Sequence, residues 1–154
     1  MHSTIIEIRD HKVPMSQWAT EDNFSDNNDK MDYCGLANEE ERAEDIERFL
    51  NNFKDLFTKG TEPNSIVYTG KVSEVREKWV ESIETEFGDF KSSGKCDSFK
   101  LLNSINRPFD IYTLFCLPDW TGDGAEYPKE VFEWLETMKE GDVLYICSTF
   151  DYHW

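Results

Sequence analysis

IYTLFCLPDWTGDGAEYPKEVFEWLETMKEGDVLYICSTF, from Ile111 to Phe150, decides the fold, because strand, loop, helix and strand signals follow one another in it without interruption. Ile111 to Leu117 is apolar on both alternating faces, which suits a strand covered on both sides near the middle of a sheet. Pro118 to Tyr127 is rich in turn formers and reads as a loop. Pro128 fits a first helical position, Val131, Phe132, Leu135 and Met138 form an apolar stripe, and Gly141 stands just past the helix end. Val143 to Phe150 returns as a second buried strand. If these two strands are parallel, the helix crosses over right-handedly and the loop Asp119 to Tyr127 sits at a strand's carboxyl end, where α/β sheets bind ligands.

Working outward, Thr4, Ile6 and Ile8 alternate with Glu7 and Arg9, the pattern of a strand with one face buried, and Pro14 follows it. Trp18 to Gly35 is polar and irregular and reads as a loop or mobile segment that aromatics pin to the body. Residues 19–37 are accordingly expected to be an acidic polar segment. Asn38 and Glu41 form a capping pair for a helix whose apolar stripe runs through Ala43, Ile46, Phe49, Leu50, Phe53, Leu56 and Phe57, with Gly60 as the stop. Its opposite face carries Glu40, Glu44, Glu47 and, further on, Lys54. Ser65 to Thr69 is a short strand. A further helix places Val72, Val75, Trp79, Ile83, Phe87 and Phe90 on one side and a row of glutamates on the other, with Glu74 and Lys78 in the favourable order for a pair. Lys91 to Lys100 reads as a linker, and Leu101 to Ile105 fits either a helical turn or a weak strand. The expectation is therefore one α+β or α/β domain spanning 1–154, with a mixed sheet of about four strands and three helices in the order βαβαβαβ.

Eleven Phe, six Tyr and five Trp can fill the core of a 154-residue chain without a covalent staple. The formal charge of -16 repels phosphate backbones and anionic headgroups, so neither nucleic acid nor a membrane is expected as a direct partner. Between Glu21 and Glu47 eleven acids stand against Lys30 and Arg42, which concentrates more than half of the net charge there. Cys34, Cys96, Cys116 and Cys147 show no C-x-x-C spacing and no histidine at ligand spacing, which argues against zinc or thioredoxin-type chemistry. The patch Ile5 to Ile8 is too short for a signal peptide's apolar region, and the expected compartment is the cytoplasm.

The sharpest motif is Asp119, Thr121, Asp123, Gly124 and Glu130, which resembles an EF-hand calcium loop over twelve residues, with Thr121 in place of Asp or Asn. Calcium would be held by the Asp119 and Asp123 carboxylates, the Thr121 hydroxyl, the Ala125 carbonyl and a bidentate Glu130. The preceding segment is strand-like where the family has a helix, and Pro128 falls inside the loop. The same residues also make a turn leading into a Pro-started helix, with acids at the positive end of its dipole. No Ser or Cys has a nucleophile-elbow context, and His2, His11 and His153 belong to no triad pattern. Trp120 and Trp134 are candidate exposed anchors.

In composition the chain is similar to toxin-immunity proteins and nucleic-acid-mimicking inhibitors. It is expected to be a non-catalytic binding protein that presents Glu40, Glu44, Glu47, Trp120 and Trp134 to a basic protein partner. The alternatives are a calcium-binding module and a carboxylate-dependent hydrolase.

Overall fold

Ile5, Ile6 and Ile8 are fully buried although they point to opposite sides of one strand, so β1 (Ser3–Arg9) is an inner strand of its sheet. The computed structural model describes residues 3–24, 33–94, 97–106, 108–109, 113–117 and 128–153, the side chains of 128–130 excepted. Among them β1 is followed by β2 (Tyr33–Leu36), α1 (Glu39–Asn52), β3 (Phe57–Lys59), β4 (Ser65–Tyr68), α2 (Val72–Ser93), α3 (Ser98–Asn106), β5 (Thr113–Cys116), α4 (Pro128–Glu136) and β6 (Val143–His153). The class is α+β, with one mixed sheet in the order β3-β4-β6-β1-β5 and β2 attached to β6.

β6 organises the sheet. One of its edges pairs with β1, while the other is shared by β4 at Val143 to Tyr145 and β2 at Phe150 to His153, all antiparallel. Where β4 and β2 diverge, Arg42 of α1 donates to the Cys147 carbonyl at 3.4 Å. β1 and β5 form the parallel pair, with Ile5 opposite Leu114 and Ile6 opposite Phe115. β5 and β6 therefore run in opposite directions on either side of β1, and α4 is no crossover between parallel neighbours.

The sheet has two covered faces. Ile6, Ile8, Ile66, Tyr68, Phe115, Leu144 and Ile146 pack beneath Phe49 and Phe53 of the α1 region, Val72 and Val75 of α2, and Val131, Phe132 and Leu135 of α4. Ile5, Leu114, Cys116, Phe150 and Tyr152 are covered on the other side by Ala19 and Phe24. Phe24 meets Phe150 edge-on at 4.9 Å, so an aromatic does pin this part of the polar segment to the body.

Several expectations need correction. The described residues hold six strands and four α-helices, because two short strands escape the periodicity. β2 has only four residues, with both end side chains exposed, and so shows no buried alternation. β3 continues the apolar run of α1, but the helix stops at Asn52. Phe53, Leu56 and Phe57 stay buried while the chain turns into a hairpin in which Phe57 pairs with Tyr68. Gly60 ends no helix: it opens that hairpin's loop, donating to the Ser65 carbonyl at 2.8 Å, and a Cβ there would collide with Ser65. Ser98–Asn106 is a helix, its first turn capped by the Asp97 carboxylate, which accepts from the Phe99 and Lys100 amides. β1 buries both faces, and a bulge between Ile6 and Ile8 accompanies the inward placement of Glu7. Lys78 pairs with Asp55 at 3.0 Å and not with Glu74.

Candidate functional site

α1 begins as its residues dictate. The Asn38 side chain accepts from the Glu40 and Glu41 amides at 3.0 and 3.1 Å, and the Glu41 carboxylate accepts in turn from the Asn38 amide at 2.9 Å. Three acids in the first turn complement the dipole. Phe49 anchors the inner face.

The two arginines of this helix are both engaged. Arg42 points inward to the Cys147 carbonyl and lies over the Trp18 ring at 5.0 Å, and Arg48 lies 3.3 Å from Asp45. Asp45 also accepts from the Thr149 hydroxyl at 2.7 Å. Glu40, Glu44 and Glu47 are left exposed, with no ion-pair partner among the described residues.

Two hollows flank this acidic face. One, of about 280 Å³, is bounded by Glu41, Glu44, Asp45 and Arg48 of α1, Tyr33 of β2 and Asp151 of β6. The other, of about 250 Å³, lies beside Glu47 between α1 and the β3–β4 hairpin, where Ala43, Ile46 and Leu50 give it an apolar wall. The surface thus combines carboxylates with a small apolar recess.

Of the other candidate residues, Trp134 alone has a described side chain. Trp134 is half-buried and packs against the main core with Met138. Trp120, Asp119, Thr121 and Asp123 lie outside the described residues, as does the Glu130 side chain. Among the described residues no three His, Cys, Asp or Glu come together as a metal site.

The chemistry of the remaining polar interior is structural. Glu7, 0% exposed, is the one buried charged residue among those described. Its carboxylate accepts from Arg9 Nε at 2.8 Å, from the Ala19 amide at 2.9 Å, and from the Ser148 hydroxyl and amide at 2.5 and 3.2 Å. Despite partial burial, that carboxylate raises the Arg9 pKa. Burial pushes the Cys147 thiol up to about 12, with Glu7 adding to the effect, and burial likewise pushes Cys34 up to about 11. Both thiols stay protonated at neutral pH and are poor nucleophiles.

Comparison with known proteins finds no matching family model, no matching curated protein and no matching solved structure.

Sequence reasoning missed the exposed apolar side chains of α2 and α3. Phe87 and Phe90 share the apolar side of their helix with Val72 and Val75 but are 46% and 38% exposed, and Phe99 is 71% exposed. Periodicity gives the side of a helix that is apolar. It does not give how far the rest of the molecule extends along that side.

Proposed function

We propose that the chain is a non-catalytic binding protein whose α1 face, centred on Glu40, Glu44 and Glu47, engages a basic surface of a partner protein. The observation that carries this reading is the separation of charge on α1. Both arginines are tied to the body or to Asp45, while the three glutamates point into solvent without counter-ions among the described residues. Exposed carboxylates of one sign attract a basic partner over distances near the Debye length, and the apolar recess beside Glu47 offers a place for a desolvated contact.

The role that fits is an inhibitor or immunity-type protein, or a nucleic-acid mimic occupying a groove that otherwise holds phosphates. We take the cytoplasm as its compartment, since Cys34 and Cys147 are free thiols. No described helix is long and apolar enough to cross a membrane.

The test is a pull-down from the native host's lysate, washed at low and then high salt, in parallel with the E40K/E44K/E47K variant. A basic protein held by the wild type and released as salt rises should be lost from the variant. Its association rate with the purified variant should fall about tenfold or more at low salt. Equal retention by both would remove this face from the account.

A further inference from the structure

The second half of α2 has a seam that no other described element covers. Val80, Ile83, Phe87 and Phe90 are spaced by three, four and three residues, the a/d spacing with which one helix receives another. Val80, Phe87 and Phe90 are 45%, 46% and 38% exposed, whereas Val72 and Val75, at the start of the same helix, are buried in the core.

The neighbours of α2 explain the difference. α4 reaches only its first half, where Arg76 pairs with Glu136 and lies over Phe132, and Trp79 stacks near the same ring at 5.5 Å. α3 packs along a different side, through the Trp79 indole donating to the Ser104 carbonyl at 2.6 Å and through Glu86 paired with Lys100 at 2.6 Å. Beyond Trp79 the seam is exposed at Val80, Phe87 and Phe90, with Ile83 partly buried between them.

Its flanks choose the occupant. On the side away from α3 the seam is bordered by Glu77 and Glu84, with Glu81 next to them, all exposed and without an ion pair among the described residues. Among the described residues the positive groups nearby are engaged: Arg76 with Glu136, Lys78 with Asp55, Lys100 with Glu86, and Lys91 over the Phe87 ring at 5.2 Å. A second copy of the same seam would bring glutamates against glutamates, which is destabilising. A helix with an apolar stripe flanked by Lys or Arg meets the apolar centre and the acidic border together.

We propose that the Val80 to Phe90 seam is the docking site for a basic amphipathic helix of a partner protein. This rests on the proposed function, since it needs a basic partner, and it adds a second contact surface, separate from α1, together with the partner's secondary structure. The seam has the length of about three turns, enough to accept a helix of that size.

The test uses three synthetic peptides of 18 residues. One carries a leucine seam flanked by lysines, one has the same composition in a shuffled order without a seam, and one has the leucine seam flanked by glutamates. Each is titrated into the 15N-labelled protein, and binding is followed by amide shifts and by fluorescence anisotropy.

The expected result is shift changes centred on residues 77 to 91 with the lysine peptide, and about tenfold weaker binding of both controls. Phe87→Asp should weaken the lysine peptide about tenfold with the same melting temperature as wild type, because the ring is half exposed. E40K/E44K/E47K should leave the shifts on α2 in place. Lysine-peptide shifts confined to α1 would overturn the docking site and leave the proposed function standing, whereas no binding of any basic peptide would count against both. A dimer in sedimentation that Phe87→Asp dissolves would overturn the proposal by making a second copy the occupant.

Discussion

A single carboxylate fixes how the segment after β1 lies on the sheet. Glu7 is fully buried, yet its charge is answered by Arg9 and by hydrogen bonds from Ala19 and Ser148, so it ties β1, β6 and the segment after Pro14 together. Removing the Glu7 carboxylate from such a network takes the acceptor from a cation and three donors. Glu7→Ala should therefore lower stability by about 3 kcal/mol, read from the urea midpoint, with Glu7→Gln falling between it and wild type. A loss below about 1 kcal/mol for Glu7→Ala would show that the network does not hold this segment in place. None of this was legible in the sequence. Alternation put Glu7 on an outward face, and nothing in Ile6, Glu7 or Ile8 announces a bulge, which depends on the pairing of β1 with β6. The cysteines were easier. Cys116 and Cys147 lie in apolar strand runs, and burial of a small thiol follows from that alone.

At the scale of elements, what the sequence made plain was whatever rests on short-range chemistry. Asn38 and Glu41 announced the start of α1, and the structure shows the reciprocal bonds between them. Asn38→Ala removes the acceptor for two amides and should cost about 1 kcal/mol in thermal or urea unfolding, with the helical signal near 222 nm nearly unchanged in the folded state. An unchanged midpoint would mean that tertiary contacts of Phe49 and Arg42 alone define the helix start. The end of α1 was misread for the complementary reason. Phe53, Leu56 and Phe57 keep helical spacing and are buried, but what buries them is a turn and a strand whose pairing with β4 lies eleven residues further on, at Phe57 and Tyr68. A period of three and four cannot distinguish continued helix from a turn that returns to the same core. β2 was lost for lack of any pattern: it adds to β6 at an edge, where Tyr33 and Leu36 face solvent, and the Leu36 amide is met by the Glu21 carboxylate at 2.8 Å. The acidic face of α1 was legible because charge on a helix follows directly from residue spacing. The seam on α2 was only half so: its apolar spacing could be read, but its exposure depends on where α4 and α3 stop.

For the molecule as a whole, a net charge of -16 is a standing cost to compactness, since like charges on one small body repel each other most strongly when the chain is folded. Glu44 and Glu47 sharpen the point. They lie on the exposed face of α1, beyond the first turn where the dipole favours acids, and Glu44 follows Glu40 at the helical spacing at which like charges repel. If these residues are kept for a basic partner, the free protein should be more stable without them. E44Q/E47Q should accordingly unfold at a higher urea concentration than wild type at low ionic strength, by a few tenths of a kcal/mol, and the gap should close as salt approaches about 0.5 M and screening shortens the field. The same variant should bind its partner more slowly, so that stability and association move in opposite directions, as they do where charge serves recognition. A midpoint that falls in E44Q/E47Q at low salt would mean that the carboxylates stabilise the fold itself, through Arg48 or another cation. The case for α1 as a binding face would then lose its main support, because acids that hold the body together need no partner to account for them.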